Sequence, residues 1–152
     1  MVNNKVLFTA FKGKNNTSFQ LVNKLGGETL YITNSFSGLE KDIDAVKSEH
    51  DKVFMFGIDK ELNNAVRIEA CASLGEKRIY TETDIATLSR CLSENGVTAT
   101  VSHVPTRYLC NAAYFRMLAR NRKAVFIHIP SLKNMTVEMM DQLIEFFKNL
   151  LV

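Results

Sequence analysis

Short apolar runs alternate with amphipathic stretches along this chain. Val6 to Phe11, Thr29 to Thr33, Lys52 to Ile58, Val66 to Ala72, Ala99 to Val104 and Val125 to Ile129 read as strands. Several are almost continuously apolar, as a strand covered on both faces requires. Between them the apolar spacing changes to that of helices. Leu39, Ile43 and Val46 share one helical face, and Ser37 with Glu40 fits a capping box at its start. Ile85, Leu88 and Leu92 form a second face, entered through Thr81 and Asp84 and ended by Gly96. Leu109, Ala112, Ala113 and Met117 form a third, and Met140, Leu143, Ile144 and Phe147, capped by Thr136, form the last. This alternation predicts one α/β domain over residues 1–152. Its sheet is mostly parallel but mixed, with helices on both faces in a three-layer α/β/α arrangement. No linker, repeat or low-complexity segment interrupts it.

Composition narrows the function classes. A chain of 152 residues can bury a sizeable core. The net charge of +3 comes from scattered residues, and the densest group is Arg116, Arg120, Arg122 and Lys123. No aromatic side chains interleave with that group, so it reads as a solvated helix end and not as a nucleic-acid interface. No apolar stretch approaches the roughly 20 residues that span a bilayer, which predicts no membrane partner. The N-terminus carries no secretory pattern, and the cysteines number three, an odd count. Free thiols in a reducing cytoplasm follow as the expectation. No cysteine pair has the close spacing of a zinc or redox motif.

Sheets of this kind place their sites at the carboxyl ends of strands. Two segments fall there. Val101 to Asn111 runs from a strand through a Pro105-containing turn into the helix that carries Cys110. A thiol in the first turn of a helix faces the positive end of the helix dipole, which predicts a lowered pKa. Ala124 to Pro130 is a strand that ends on His128 and is stopped by Pro130. Cys and His brought together at this rim would form the thiolate–imidazolium pair of a cysteine hydrolase. On spacing alone, two structural residues are the simpler reading. Cys71 and Cys91 read as structural. Glu69 interrupts the run Val66 to Ala72, and by itself fits a solvated face slightly better than a functional position. His103 is a rival base in a turn, and His50 reads as a surface residue.

Taken with their surroundings, the two segments resemble the motifs of the pyroglutamyl peptidases, also called pyrrolidone-carboxylate peptidases. Ser102, Tyr108-Leu-Cys-Asn111 and Phe126-Ile-His-Ile-Pro130 match that family's Cys and His motifs. Gly57 to Glu69 resembles the region before its catalytic Glu, Val6 to Phe11 its first strand, and Asn16-Thr-Ser18 its Asn-Pro-Ser helix start. The resemblance spans nearly the whole chain.

It implies a cysteine exopeptidase that hydrolyses an N-terminal pyroglutamyl amide bond and requires no metal or other cofactor. Cys110 would be the nucleophile, His128 the base and Glu69 the third member of a triad, with Phe11 forming a wall of the substrate site. The implied partner is a small peptide with a blocked N-terminus, and a homo-oligomer is compatible with the family. Departures are plain. The family's Pro-Phe-Gly-Gly loop is reduced to Lys12-Gly-Lys14, and Asp59-Lys-Glu61 stands near the place of a Gly-Gly-Arg run. Ala70 replaces the usual Arg after the Glu, and Pro105-Thr106 replaces Ala-Gly before the Cys. The triad therefore reads as retained and the substrate pocket as altered. Two alternatives stay open: the same triad acting on another small amide, and a non-enzymatic binding protein on the same frame.

Overall fold

The computed structural model describes residues 5–47 and 49–151. Along them run β1 (Val6–Phe11), α1 (Thr17–Leu25), β2 (Glu28–Ile32), α2 (Phe36–Asp44) and β3 (Lys52–Ile58). There follow β4 (Val66–Glu69), β5 (Cys71–Leu74), β6 (Lys77–Tyr80), α3 (Ile85–Glu94) and β7 (Ala99–Ser102). The chain closes with α4 (Tyr108–Arg120), β8 (Ala124–Ile129) and α5 (Val137–Asn149).

Six strands form one sheet in the order β2-β1-β3-β8-β4-β7. The first four run parallel. β4 and β7 are parallel to each other, and β4 is antiparallel to β8. Two parallel blocks thus meet along the β8–β4 seam. Side chains alternate between the two faces of each strand. One face sends Phe8, Phe54, Phe56 and Ile127 against Leu21, Leu92, Leu143 and Phe147 of α1, α3 and α5. The opposite face sends Leu7, Met55 and Phe126 against Leu39, Ala113 and Met117 of α2 and α4. Both faces being covered, β1 and β8 are buried at every position, which is why their sequences show no polar alternation. The three-layer α/β/α architecture expected from the sequence is the one observed.

Departures from the expected elements have physical causes. The run Val66 to Ala72 is not one strand. The chain leaves the main sheet at Ala70, whose N–H still donates to the Ser102 carbonyl at 2.8 Å. It then turns into a hairpin, where β5 pairs with β6. The apolar alternation continues through the break, so the change of partner leaves no mark in the pattern. β6 escaped the sequence reading because only Ile79 among its four residues is buried. Gly75, at φ +60°, supplies the left-handed residue of the hairpin turn.

The cap of α2 is Ser35, which accepts from the Gly38 N–H, and not Ser37, which lies inside the helix. The helix ends at Asp44, short of Val46. His50 is buried, not on the surface, and pairs with Glu28. It sits just before β3, at the end of the sheet away from Cys110 and His128. At the start of α1, Asn16 accepts from the N–H groups of Ser18 and Phe19. Thr17 donates to the Pro130 carbonyl at 2.6 Å, tying the beginning of α1 to the end of β8.

Phe147 meets Phe8, Phe54 and Phe56 with ring centroids 6.2, 5.2 and 5.0 Å away, all in edge-on contact. Phe147→Ala is expected to cost about 3–5 kcal/mol, read as a lower denaturant midpoint. Leu132→Ala, at an exposed position, should change stability by less than about 0.5 kcal/mol.

Candidate active site

The β8–β4 seam assembles the polar residues of the site. In the antiparallel register Arg67 lies opposite His128, and Glu69 opposite Phe126. Directly paired residues point to the same face, so all four project toward α4. In the parallel register on the other side of β8, Gly57 is the neighbour of His128. A Cβ at position 57 would stand 2.6 Å from Phe126 Cζ and 3.0 Å from Cys110 Sγ. Gly57 therefore leaves the space that the Phe126 ring and the Cys110 sulfur occupy. The structure brings Cys110 over β3 at the level of His128, although no hydrogen bond joins the two side chains among the described residues.

Glu69 is 1% exposed, so the solvated-face reading fails. Its Oε2 lies 3.3 Å from His128 Nδ1. The same oxygen accepts from Arg67 Nε at 2.7 Å. The Arg67 Nη2 stands 2.7 Å from Asp59 Oδ2 and 3.4 Å from His128 Nδ1. Burial works against the charge of Arg67, but its bonds to Glu69 and Asp59 raise its pKa overall. Burial likewise works against an ionised Asp59. The Glu61 N–H and Arg67 outweigh that and hold the carboxyl below its ordinary range.

Cys110 is the third residue of α4, and no side chain caps that helix. The first N–H groups of a helix have no intrahelical acceptor, so the Cys110 N–H is a free donor beside its own sulfur. The helix dipole does not decide the state of the thiol, contrary to the expectation of a lowered pKa. Burial, together with the negative charges of Glu69 and Asp59, pushes it up to about 12. A partial helix charge is outweighed by desolvation and two nearby carboxylates.

Phe11, at the end of β1, is 5% exposed. It lines a cavity of about 160 Å³ together with Asn16, Asn34, Ile58, Leu109 and Cys110. The expected aromatic wall and the expected nucleophile thus face the same space. His103 is exposed in the loop after β7, and its carbonyl accepts from Cys71 Sγ at 3.5 Å. It takes no part in the cluster. Cys71 is buried and Cys91 half-buried.

Arg67 and Tyr114 were not singled out by the sequence, and Asp59 and Asn111 entered it only within a departure and a motif, with no role of their own. Arg67 and Glu69 are two charges two residues apart in an apolar strand, and that spacing was the available signal. Asn111 donates to the Ser73 carbonyl at 2.8 Å and accepts from the Ser73 N–H at 2.9 Å, holding β5 against α4. Tyr114 donates from its hydroxyl to the Glu69 carbonyl at 2.7 Å. These bonds depend on tertiary placement and have no local pattern.

No protein-family model matches the chain, and no curated protein matches it in sequence. Solved structures do. Pyrrolidone carboxyl peptidase from Fervidobacterium islandicum AW-1 superimposes with TM-score 0.78 at 19% identity, covering 95% of this chain and 97% of that one. Pyroglutamyl peptidase I from Bacillus amyloliquefaciens gives 0.77 at 18%, covering 95% and 93%. The pyrrolidone carboxyl peptidase from Thermococcus litoralis gives 0.74 at 18%, covering 96% and 93%. The fold is that of the pyrrolidone carboxyl peptidases. At such identities the likeness is one of architecture, and what the side chains do is argued from this chain's own geometry. Among the described residues, no helix is long and apolar enough to cross a membrane.

Two measurements test this geometry. Gly57→Ala is expected to cost about 1–3 kcal/mol through overpacking, seen as a lowered melting temperature. Because the raised thiol pKa leaves little thiolate at neutrality, alkylation of Cys110 should climb roughly tenfold per pH unit above pH 7. A rate that levels off above about pH 8.5 would point to an ordinary pKa, and an earlier plateau to a lowered one.

Proposed function

We propose that the protein is a cysteine exopeptidase that removes an N-terminal pyroglutamyl group from a small peptide. The observation that carries this reading is the shared cavity of Cys110 and Phe11, with Cys110 Sγ close to Gly57, the strand neighbour of His128. Its lining includes no charged side chain. That favours a neutral lactam ring over a free ammonium group, which would lose hydration without gaining a counter-charge.

Two carboxamides at its rim add to the fit. Asn16 Oδ1 is committed to capping α1, and Asn34 Nδ2 to the Lys12 carbonyl at 2.8 Å. The Asn16 Nδ2 and Asn34 Oδ1 remain, one donor and one acceptor. A lactam carries the complementary pair, a carbonyl and an N–H.

The chemistry then follows. Cys110 Sγ attacks the carbonyl carbon of the pyroglutamyl amide while His128 takes the thiol proton. Glu69 holds the imidazole through Nδ1. The uncommitted Cys110 N–H donates to the oxyanion. Collapse of the tetrahedral species breaks the C–N bond, and His128 returns the proton to the leaving amine. Water, activated by the same imidazole, hydrolyses the thioester and releases pyroglutamate.

Purified protein is expected to release the fluorophore from a pyroglutamyl-amide reporter. Cys110→Ala should abolish release, and His128→Ala should reduce it by about 10²–10⁴-fold. An intact reporter with folded protein, alongside selective labelling of Cys110 by a thiol reagent, would move the reading to another small amide. An intact reporter with no selective labelling would favour a binding protein.

A further inference from the structure

Arg67 stands where it governs the charge of the whole cluster. The guanidinium can only donate hydrogen bonds, and an ionised carboxylate can only accept them. His128 Nδ1 therefore cannot be bonded to both Glu69 Oε2 and Arg67 Nη2 in one protonation state. These groups lie at nearly equal distances from it, 3.3 and 3.4 Å. Glu69 favours a positive imidazole, and Arg67 opposes one from the same range. The carboxylate's stronger bond, at 2.7 Å, goes to Arg67 and not to the imidazole. Asp59 fixes the guanidinium in that position from the end of β3.

We propose that Arg67 is a positioning residue that keeps His128 uncharged at rest, so that the thiol proton leaves only as attack occurs. The inference rests on the cysteine-hydrolase reading of the site and sharpens it. The nucleophile is a thiol activated in step with attack, not a stored thiolate. The Nδ1 proton of His128 goes to Glu69, and Nε2 keeps the lone pair that receives the proton from Cys110. No bond to Arg67 is made in that state, and the guanidinium acts through its charge alone. Burial, Glu69 and Asp59 hold the thiol protonated by themselves, and Arg67 bears on it only through the imidazole. The ionisable groups facing the cluster are Asp59 after β3, Arg67 and Glu69 on β4, Cys71 on β5, Cys110 and Tyr114 on α4, and His128 on β8.

The test is site-resolved alkylation by iodoacetamide, read at the Cys110 peptide by mass spectrometry between about pH 6 and pH 10. Wild type is expected to react slowly at neutrality and to keep accelerating with pH. Arg67→Gln removes the opposing charge and leaves Glu69 to the imidazole. It should react at least about tenfold faster at pH 7 and reach a plateau at lower pH. Arg67→Lys keeps the charge and should retain the wild-type profile. A purely structural role for Arg67 would alter stability without moving the inflection.

An Arg67→Gln profile that matches wild type overturns the proposal. So does a wild-type plateau already reached near pH 7. If Arg67→Gln does not fold, Arg67→Met, which fills the same space without the charge, takes its place with the same expected and overturning outcomes. Alkylation is independent of peptide cleavage. A cleaved reporter with an unmoved profile defeats this inference alone, and a moved profile with an intact reporter defeats the pyroglutamyl reading alone.

Discussion

A carboxylate sealed inside a sheet must be matched by positive charge or hydrogen bonds, and the arrangement of this site follows from how Glu69 is matched. Breaking a buried ion pair by removing one partner costs on the order of 3–5 kcal/mol, because the remaining charge is left without compensation. Glu69, 1% exposed, takes its compensation from Arg67, two residues earlier on the same face of β4. Arg67 in turn has a second carboxylate, Asp59. The cluster is thus structurally self-sufficient before His128 is considered. The imidazole joins an ion pair that is already closed, and its longer distances reflect that order of preference.

The seam between the two parallel blocks makes this possible. If β4 ran parallel to β8, a different register would face His128. The antiparallel pairing sets Arg67 beside His128 and Glu69 one step toward Phe126, so one short strand supplies both charges to one imidazole. The other side of β8 supplies the gap, since Gly57 presents no side chain where Cys110 and Phe126 need room. Charge on one flank and empty space on the other come from the two strands that bracket β8.

The fold was legible in the sequence wherever a strand or helix carried its own periodicity. β1, β3 and β8 are covered on both faces, and their uniform apolarity marks them without reference to any partner. β6 carries a single buried side chain, and the break at Ala70 keeps the alternation intact, so neither gave a signal. The candidate residues divide in the same way. Cys110, His128 and Glu69 stand in segments that resemble a known family, and Phe11 closes a strand visible by itself. Arg67 lies inside such a segment, but one arginine in an apolar run does not announce which carboxylates it will meet. The state of the thiol was out of reach for a different reason. Position in a helix can be read locally, whereas burial and the approach of Asp59 and Glu69 from other strands are properties of the assembled sheet.

The paired bonds between Asn111 and Ser73 carry a mechanical consequence. An asparagine side chain that meets both the N–H and the C=O of one strand residue imitates a neighbouring strand. Here the imitation comes from the residue directly after Cys110. The β5–β6 hairpin and the start of α4 are thus stitched together, while the far end of the hairpin, around the exposed Leu74, lies beyond the stitch. The placement of the Cys110 sulfur therefore leans on a hairpin that lies outside the main sheet.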